Sequence, residues 1–295
     1  MKLDVMQNTM DGITMGTARP TLVLGGTGKT GRRVAARLAA RGLPVRIGSR
    51  GGEPRFDWDE RSTWRPALAG VGSVYLSYHP DLAVPGAVEA VRAFAGLAVA
   101  GGAPRLVLLS GRGEPEAERA ENAVRGTGAE LTILRCTWFM QNFSEDYMLE
   151  HVLAGEIRLP AGDVPTPFVD ADDIADVAVA ALTDYRHAGR LYELTGPRAL
   201  TFAEAAAEIG AAAGRAVRYT PVRLEEHEAE LAERGVAPEV IGLLSYLFRE
   251  VVDGRNAGTT DGVRRALGRE PRDFAEYCRA TARAGVWGRP QRAVA

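Results

Sequence analysis

Two residue types that carry much of protein chemistry are scarce in this chain of 295 residues, cysteine and lysine. Cys136 and Cys278 are the only cysteines, which excludes a disulfide framework and a cysteine-rich metal site. Lys2 and Lys29 are the only lysines, so nearly all of the positive charge is carried by arginine. Any mechanism that needs a lysine must therefore use one of these two.

Long apolar runs and a strong net charge are also missing. No uncharged apolar stretch approaches the ~18 residues of a membrane span, and even the stretch Ala93–Pro104 ends at Arg105. The first twenty residues lack a basic start followed by an apolar run, so no secretory signal is visible. The net charge of −2 gives no support to a nucleic-acid or membrane partner. We expect a cytoplasmic location.

What the chain does contain is a repeated alternation of short apolar runs and amphipathic stretches. Thr21–Leu24 predicts a buried strand, Gly31–Arg41 a helix and Val45–Ser49 a second strand, which together form a βαβ unit with parallel strands. The alternation continues through the strands Val74–Leu76, Arg105–Leu109 and Leu131–Arg135 and the helices Val84–Val99 and Glu114–Arg125. It predicts a Rossmann-type α/β fold with a doubly wound parallel sheet.

The alternation loosens after Arg135, and we expect a smaller, discontinuous C-terminal substrate lobe there. The predicted organisation is a flexible extension at 1–18 and a single unit at 19–290, with a Rossmann core at about 19–137 and 165–195 and a lobe at about 138–164 and 196–285. Later predicted helices are Asp170–Leu182, an Ala-rich helix from Thr201 to Ala213, and Arg272–Ala284. The stretch Leu224–Val252 predicts two helices broken at Gly235–Pro238, a pattern typical of a mobile cover.

A glycine-rich loop lies between the first strand and the first helix. Gly25, Gly28 and Gly31 have the spacing G-x-x-G-x-x-G, and in this βαβ context the tight turn and the helix N-terminus favour a dinucleotide pyrophosphate. A turn that only packs the helix on the strand is the alternative interpretation. A Walker A loop is excluded because it needs a glycine at the position of Val23.

The end of the second strand indicates which dinucleotide would bind. An NAD site normally has an acidic residue there, but the segment Ile47–Gly51 contains none and the next acid is Glu53. Arg50 offers a planar cation and Ser49 a hydroxyl, both suited to the 2′-phosphate of NADP. The sequence therefore favours NADP(H) as the cofactor.

Five segments spread over the chain carry further motifs: Thr21–Gly31 at the glycine loop, Arg105–Gly111 (RLVLLSG), Glu121–Phe143, Phe168–Ala175 (FVDADDIA) and Tyr192–Thr201 (YELTGPRALT). In combination they resemble the NmrA-like group of atypical short-chain dehydrogenases/reductases. The aromatic residues around Asp57 and the run Tyr75–Pro80 look most like festuclavine dehydrogenase-type reductases. The resemblance implies NADPH-dependent reduction of a ketone, enone, quinone or iminium carbon, often in secondary metabolism.

The resemblance also implies contacts of individual residues with each part of the cofactor. These are Gly25, Thr27, Gly28, Lys29, Thr30 and Gly31 at the pyrophosphate, Ser49 and Arg50 at the 2′-phosphate, Asp57 and Trp58 at the adenine, Tyr78, His79 and Pro80 at the nicotinamide ribose, and Ser110 with the backbone at Cys136–Trp138 at the nicotinamide.

The chain departs from the parent superfamily in its proton donor. Those enzymes usually use a Tyr-x-x-x-Lys pair, in which the lysine lowers the pKa of the tyrosine. If Glu121 aligns with the helical glutamate of the group, the two positions fall on Gly113 and Ala117, and no lysine follows residue 29. The remaining catalytic candidates are Tyr78 and Ser110, and Ser110 is alternatively a turn residue.

A pocket for a hydrophobic, polycyclic or aromatic small molecule is predicted beside the cofactor. Its candidate residues are Trp138, Phe139, Asn142, Phe143 and, on the predicted cover, Tyr246. Packing in the core is the competing interpretation for these side chains.

The remaining histidines and aspartates do not indicate a metal site or a catalytic acid pair. The four histidines (His79, His151, His187 and His227) have no mutual metal-ligand spacing, so no metal is expected. The acids Asp170, Asp172, Asp173 and Asp176 stand at the start of a predicted helix, where capping and the helix dipole explain them better than catalysis does.

Taken together, the residues and the resemblance predict an NADPH-dependent reductase that transfers hydride to a carbonyl, enone or iminium carbon. Two other functions stay open. One is a non-enzymatic sensor of the redox state of NADP, whose apolar residues would lie on the surface of the lobe. The other is an isomerase or cyclase that retains the cofactor without passing hydride. The sequence does not distinguish a monomer from a dimer.

Overall fold

The structure is a computed structural model that describes residues 19–288, so the predicted extension at 1–18 lies outside the described residues. The strands, in chain order, are β1 (Thr21–Leu24), β2 (Val45–Gly48), β3 (Ser73–Leu76), β4 (Arg105–Gly111), β5 (Glu130–Cys136), β6 (Glu156–Leu159), β7 (Leu191–Leu194) and β8 (Arg218–Pro221).

The helices flank these strands, and α6 to α12 all lie after residue 147. They are α1 (Lys29–Ala40), α2 (Trp64–Leu68), α3 (Ala87–Ala100), α4 (Pro115–Arg125), α5 (Asn142–Glu145), α6 (Met148–Ala154), α7 (Ala171–Thr183), α8 (Phe202–Ala213), α9 (Leu224–Glu233), α10 (Pro238–Glu250), α11 (Gly262–Leu267) and α12 (Phe274–Arg283). Among residues 19–288, no helix has both the length and the apolar character needed to cross a membrane.

Six strands form one sheet in the order β2-β1-β3-β4-β5-β7, and every neighbouring pair is parallel. The order reverses at β1, which has β2 on one side and β3 on the other. This reversal is the topological switch point at which doubly wound sheets leave a crevice beyond the carboxyl ends of the strands. The predicted Rossmann-type fold is confirmed.

The sheet is buried on both faces, as a parallel sheet covered by crossover helices requires. Along β1, Leu22 and Leu24 pack into one hydrophobic cluster with residues of α3 and α4, such as Phe94. Val23, between them, packs into the opposite cluster with residues of α1 and α7, such as Ile174. Successive side chains of one strand thus anchor both helical layers.

A third hydrophobic cluster holds the later helices together beyond the sheet. Its centre is aromatic: the Phe168 ring lies 5.5 Å from Phe143, 5.2 Å from Phe202 and 5.5 Å from Phe274, measured between centroids. β6 and β8 pair with each other in a separate two-stranded parallel sheet next to this cluster. Much of the chain after β5, but not α7 or β7, therefore packs around a core of its own.

The predicted helix caps agree with the structure at two places. Asp170 accepts a hydrogen bond from the Asp172 amide at the start of α7, and Thr201, the predicted start of the Ala-rich helix, forms a capping box with Glu204 at the start of α8. The predicted start of α3 at Val84 is wrong, because Gly86 has a φ of +85° and the helix begins after it. The short strands β6, β7 and β8 were not predicted.

Candidate active site

A cavity of about 660 Å³ opens at the carboxyl ends of the parallel strands. Loops that follow β1 to β5 form one wall, and α10 contributes to the other. Most of the predicted site residues line this cavity: Gly25, Thr27, Gly28, Lys29, Thr30, Ser49, Arg50, Asp57, Trp58, Tyr78, His79, Pro80, Ser110, Trp138, Phe139 and Asn142. Gly31, Phe143 and Tyr246 are not part of its lining.

The glycines of the loop after β1 have different tasks. Gly25 has a φ of +62°, a conformation that favours glycine, and its carbonyl accepts a hydrogen bond of 2.8 Å from the Gly28 amide. Gly28 caps α1, so the helix N-terminus faces the cavity. A Cβ at Gly31 would lie 2.2 Å from the Gly25 carbonyl oxygen. Gly31 thus serves the close packing of α1 on the loop and lies outside the cavity lining, while its contact with pyrophosphate stays a prediction.

Lys29 connects the glycine loop to α5. Its Nζ donates a hydrogen bond of 2.8 Å to Oδ1 of Asn142 and forms an ion pair with Asp146. Lys29 and Asn142 both line the cavity, although one was predicted at the pyrophosphate and the other at the substrate. Any contact of Lys29 with a phosphate has to share the ammonium group with these two partners.

Arg50 is available for an anionic ligand. It lies just beyond β2, lines the cavity with Ser49 and is exposed. Within the described part of the chain it forms no ion pair, whereas nearby Arg55 pairs with Asp57 at 2.7 Å. An unpaired guanidinium beside a hydroxyl suits a phosphate monoester, which accepts several charge-assisted hydrogen bonds.

Aromatic side chains build the wall next to Arg50. The Trp58 ring lies 4.8 Å from Tyr78 and 5.6 Å from Trp64 between centroids, and its Nε1 donates to the Ser77 carbonyl at 3.3 Å. These contacts fix the indole at the cavity edge. Asp57 and Trp58 therefore lie where a flat heterocycle can pack against them.

Ser110 does not have a free hydroxyl proton. Its Oγ donates a hydrogen bond of 2.7 Å to Oε1 of Glu121, which is fully buried. Arg135 holds the same carboxylate with two further hydrogen bonds, of 2.8 Å from Nε and 2.7 Å from Nη2. With its proton engaged in this way, Ser110 can accept a hydrogen bond from a ligand but is a poor proton donor.

Tyr78 lacks the environment that activates a tyrosine as an acid. Partial burial raises the pKa of its hydroxyl above the ordinary value, and the charge of Asp59 adds to this effect. A neighbouring cation would lower that pKa, but the charged group that acts on this hydroxyl is the carboxylate of Asp59. Tyr78 therefore contributes an aromatic surface to the cavity, and its hydroxyl is a weak proton donor.

The apolar wall of the cavity comes from two segments. Trp138 and Phe139 follow β5, and Leu243, Leu244 and Leu247 project from α10. The Trp138 ring also packs on Phe248 of α10, with 5.1 Å between centroids. These side chains provide the hydrophobic surface that a flat substrate requires.

Two of the predicted substrate residues, Phe143 and Tyr246, lie outside the cavity lining. Phe143 is fully buried in the third cluster, where it packs on Phe168, and its carbonyl accepts a hydrogen bond of 2.9 Å from Trp287. Tyr246 lies on α10 outside the cavity lining, to which Leu243, Leu244 and Leu247 of that helix belong, although burial and the neighbouring Glu114 raise the pKa of its hydroxyl. Core packing, the competing interpretation, is correct for Phe143.

A pair of carboxyl groups in the cavity was not predicted. Asp81 follows β3 and Glu114 follows β4, two strands that are paired in the sheet, and both residues line the cavity. Their carboxyl groups are close enough for each to influence the ionisation of the other. Glu114 is 6% exposed. The sequence could have indicated this pair, because each residue follows one of two adjacent parallel strands. The pair was missed because Glu114 was interpreted as the first residue of a helix.

The two carboxyl groups cannot both be ionised at low cost. Burial and the negative charge of Asp81 raise the pKa of Glu114 to about 9. Burial also raises the pKa of Asp81, but the Ala83 amide donates a hydrogen bond of 2.8 Å to its Oδ1 and favours the ionised form. At neutral pH Glu114 therefore keeps the proton that the pair shares.

The acids of α7 act structurally, as predicted. Asp173 is fully buried and pairs with Arg272, and Asp176 pairs with Arg37 at 2.6 Å. Across residues 19–288, no three His, Cys, Asp or Glu side chains are placed to hold a metal ion together.

The fold and this cavity define a class, the Rossmann-type α/β proteins in which a second lobe faces the carboxyl edge of the sheet. Within that class, the chain belongs to the NmrA-like family, whose model matches residues 118–278. It is 35% identical over 280 residues to "Uncharacterized oxidoreductase YesF" of Bacillus subtilis, covering 91% of this chain and 96% of that protein. The resemblance to the NmrA-like group is confirmed.

Two further comparisons extend this relationship. Festuclavine synthase II of Penicillium roqueforti is 32% identical over 278 residues, covering 86% of this chain and 95% of that protein. The triphenylmethane reductase of Citrobacter sp., whose structure is complexed with NADP(H), superposes with a TM-score of 0.69 at 21% identity. That match covers 89% of this chain and 99% of the reductase, and it shows a shared fold.

Proposed function

We propose that this chain is an NADP(H)-dependent oxidoreductase that transfers hydride to a carbonyl, enone or iminium carbon of a hydrophobic polycyclic or aromatic molecule. The observation that carries the proposal is the continuity of one cavity. It extends from the glycine loop and Arg50, through Ser110, to the apolar wall at Trp138 and Leu247. A dinucleotide and a flat substrate can therefore meet inside it.

The residues at one end fit the cofactor. The left-handed turn at Gly25 and the α1 N-terminus offer backbone N–H groups to a pyrophosphate, and Arg50 offers a guanidinium to a 2′-phosphate. Trp58 provides a face for the adenine. When bound, NADPH supplies the hydride, while the protein supplies orientation and a water-poor surrounding.

The residues at the other end select and orient the substrate. Trp138, Phe139 and the leucines of α10 present an apolar surface to a ring system and displace water from it. Holding the acceptor carbon in place converts the reaction to an effectively unimolecular step, which accounts for a large part of the rate enhancement. We assign this wall to the substrate lobe, at about 138–164 and 196–285.

The relatives support an oxidoreductase more than the two alternatives. A relative named an oxidoreductase and one named festuclavine synthase both match nearly the whole chain. A sensor with a protein partner would display its apolar residues on the lobe surface, whereas Trp138 and Phe139 face the cavity. A measurement of hydride transfer from the cofactor to the product distinguishes a reductase from an isomerase or cyclase.

The experiment that tests the proposal follows the absorbance of NADPH in the presence of polycyclic ketones, quinones, cyclic imines and triphenylmethane dyes. We expect oxidation of NADPH that depends on both the protein and one class of acceptor. Tight binding of NADPH and NADP⁺ without turnover of any acceptor would instead favour the sensor.

A further inference from the structure

We propose that Glu114 is the general acid of this cavity and that Asp81 is a positioning residue that holds the acid in place. The proposal rests on the proposed function, since it names the group that donates a proton when the acceptor is a carbonyl. It replaces the missing tyrosine–lysine pair with a carboxylic acid.

The first argument is the placement of Glu114 at the cavity. It is nearly fully buried, yet it belongs to the cavity lining together with Ser110 and Gly111 at the end of β4. A Cβ at Gly111 would lie 1.8 Å from Oε1 of Glu114, so the absence of a side chain there makes room for the carboxyl group. This position is between the nucleotide end and the apolar wall.

The second argument is that no structural role explains the carboxyl group. Glu114 precedes α4, but its side chain makes no capping hydrogen bond to that helix. Within the described residues, its Oε2 is buried and meets no hydrogen-bond donor. A buried carboxylate without a donor is costly, whereas a neutral carboxyl group can itself donate to Asp81 or to a ligand.

The third argument is the electrostatic surrounding. The ionisable groups around Glu114 are Asp81 after β3, Glu121 on its own helix, Cys136 at the end of β5 and Tyr246 on α10. None of these groups is a cation, and Arg135 is already paired with Glu121. The surroundings therefore favour the protonated form of Glu114, as a general acid that works near neutral pH requires.

The proton transfer balances with hydride transfer from NADPH. The carbonyl carbon gains a C–H bond with the electron pair of the hydride, and the C=O π pair moves to oxygen. That oxygen takes the proton of Glu114, so an O–H bond forms while the carboxyl O–H bond breaks. The carbonyl is reduced to an alcohol, NADPH is oxidised to NADP⁺, and water returns a proton to Glu114.

The role of Glu114 is tested with two acceptors, one whose reduction requires a proton and one whose reduction does not. An aromatic ketone that the wild type reduces needs a proton on oxygen, whereas a cationic triphenylmethane dye accepts hydride at a positive carbon and needs none. The Gln amide of Glu114→Gln still donates a hydrogen bond to Asp81 but cannot release a proton. Because a general acid contributes about 10²–10⁴-fold, we expect the ratio of ketone to dye turnover to fall by a factor in that range.

The matched control is Glu116→Gln, two residues further along and outside the cavity lining, which should keep the wild-type ratio. Asp81→Asn removes the neighbouring negative charge and should move the alkaline decline of ketone turnover to lower pH. An infrared titration gives a readout without turnover. The carbonyl stretch of a neutral carboxyl group should be present at neutral pH in the wild type and in Glu116→Gln, and absent in Glu114→Gln.

An unchanged ketone-to-dye ratio in Glu114→Gln, or an infrared spectrum of the wild type without the neutral carboxyl band, overturns the assignment of Glu114. A folded Glu114→Gln protein that loses both activities equally overturns it too, because such a loss indicates disturbed binding. A wild type that binds NADPH but reduces no acceptor of the whole panel is a different result, since it overturns the proposed function itself.

Discussion

The Ser110 hydroxyl donates a hydrogen bond of 2.7 Å to the buried carboxylate of Glu121. The serine that sequence reasoning placed beside the nicotinamide is thus held in an acceptor orientation. The arrangement orders the end of β4 but leaves proton donation to another group.

We expect Ser110→Ala and Tyr78→Phe each to lower turnover modestly, by less than the ~10²-fold that marks a general acid. The reason is that the Ser110 proton is engaged and the pKa of Tyr78 is raised by burial and by Asp59. Steady-state kinetics of both variants checks this. Loss of turnover in either variant, with NADPH binding intact, would show that the proton donor has been misplaced.

The choice of cofactor should depend on Arg50. The wild type should bind NADPH more tightly than NADH, and Arg50→Ala should remove most of that difference. One charge-assisted hydrogen bond contributes about 1.5–3 kcal/mol, so a loss of about tenfold to hundredfold in NADPH affinity is expected. Calorimetric titration measures both affinities. Arg41→Ala, exposed and outside the cavity, is the control and should keep the preference. Equal affinity of the wild type for both cofactors contradicts the assignment.

The segment of α9 and α10 should behave as a mobile cover. Each helix has only two buried residues, whereas α7 has nine, so the two helices are lightly anchored. Hydrogen exchange of residues 224–250 should slow when NADPH and an acceptor analogue bind together, while exchange in α7 stays constant. Equal protection of the segment with and without ligands would identify it as static scaffold.

The carboxyl pair should make stability depend on pH. The folded protein keeps the Glu114 proton up to a pKa of about 9, while the unfolded chain releases it near the ordinary value of 4.5. Between these two values the folded state binds more protons, so the free energy of unfolding falls as pH rises. Below the lower value both states are protonated and this contribution is fully present.

Glu114→Gln removes this dependence and should gain stability relative to the wild type as pH rises. Urea unfolding of both proteins at about pH 5 and about pH 8 measures the difference. Two proteins whose free energies of unfolding change in parallel would mean that Glu114 is ionised in the folded state.

The sequence was sufficient for five of the six strands of the large sheet, all except β7, because local signals and tertiary packing agree there. The apolar run Thr21–Leu24 is buried along its whole length, and the glycine loop and Arg50 follow strands whose ends must meet at one edge. The acid Asp170 likewise predicts a helix cap from the nearby sequence alone, and Asp170 does cap α7. The structure of these parts is determined mainly by residues that are close together in the sequence.

The parts that could not be predicted depend on neighbours in space. Asp81 and Glu114 are 33 positions apart, and only the pairing of β3 with β4 makes them a pair. In the same way, the packing of α10 on Trp138 determines which side chains of that helix line the cavity, and Leu247 is one of them. Phe143 was misplaced because an aromatic residue suits a core and a pocket equally well.

The most direct test of the central claim uses NADPH that carries deuterium at C4 of the nicotinamide, prepared as each of its two epimers. One epimer should deliver deuterium to the acceptor carbon of the product, detected by mass spectrometry and located by NMR, and the other should not. Formation of product with no deuterium from either epimer would contradict hydride transfer and identify the chain as an isomerase or cyclase that keeps its cofactor.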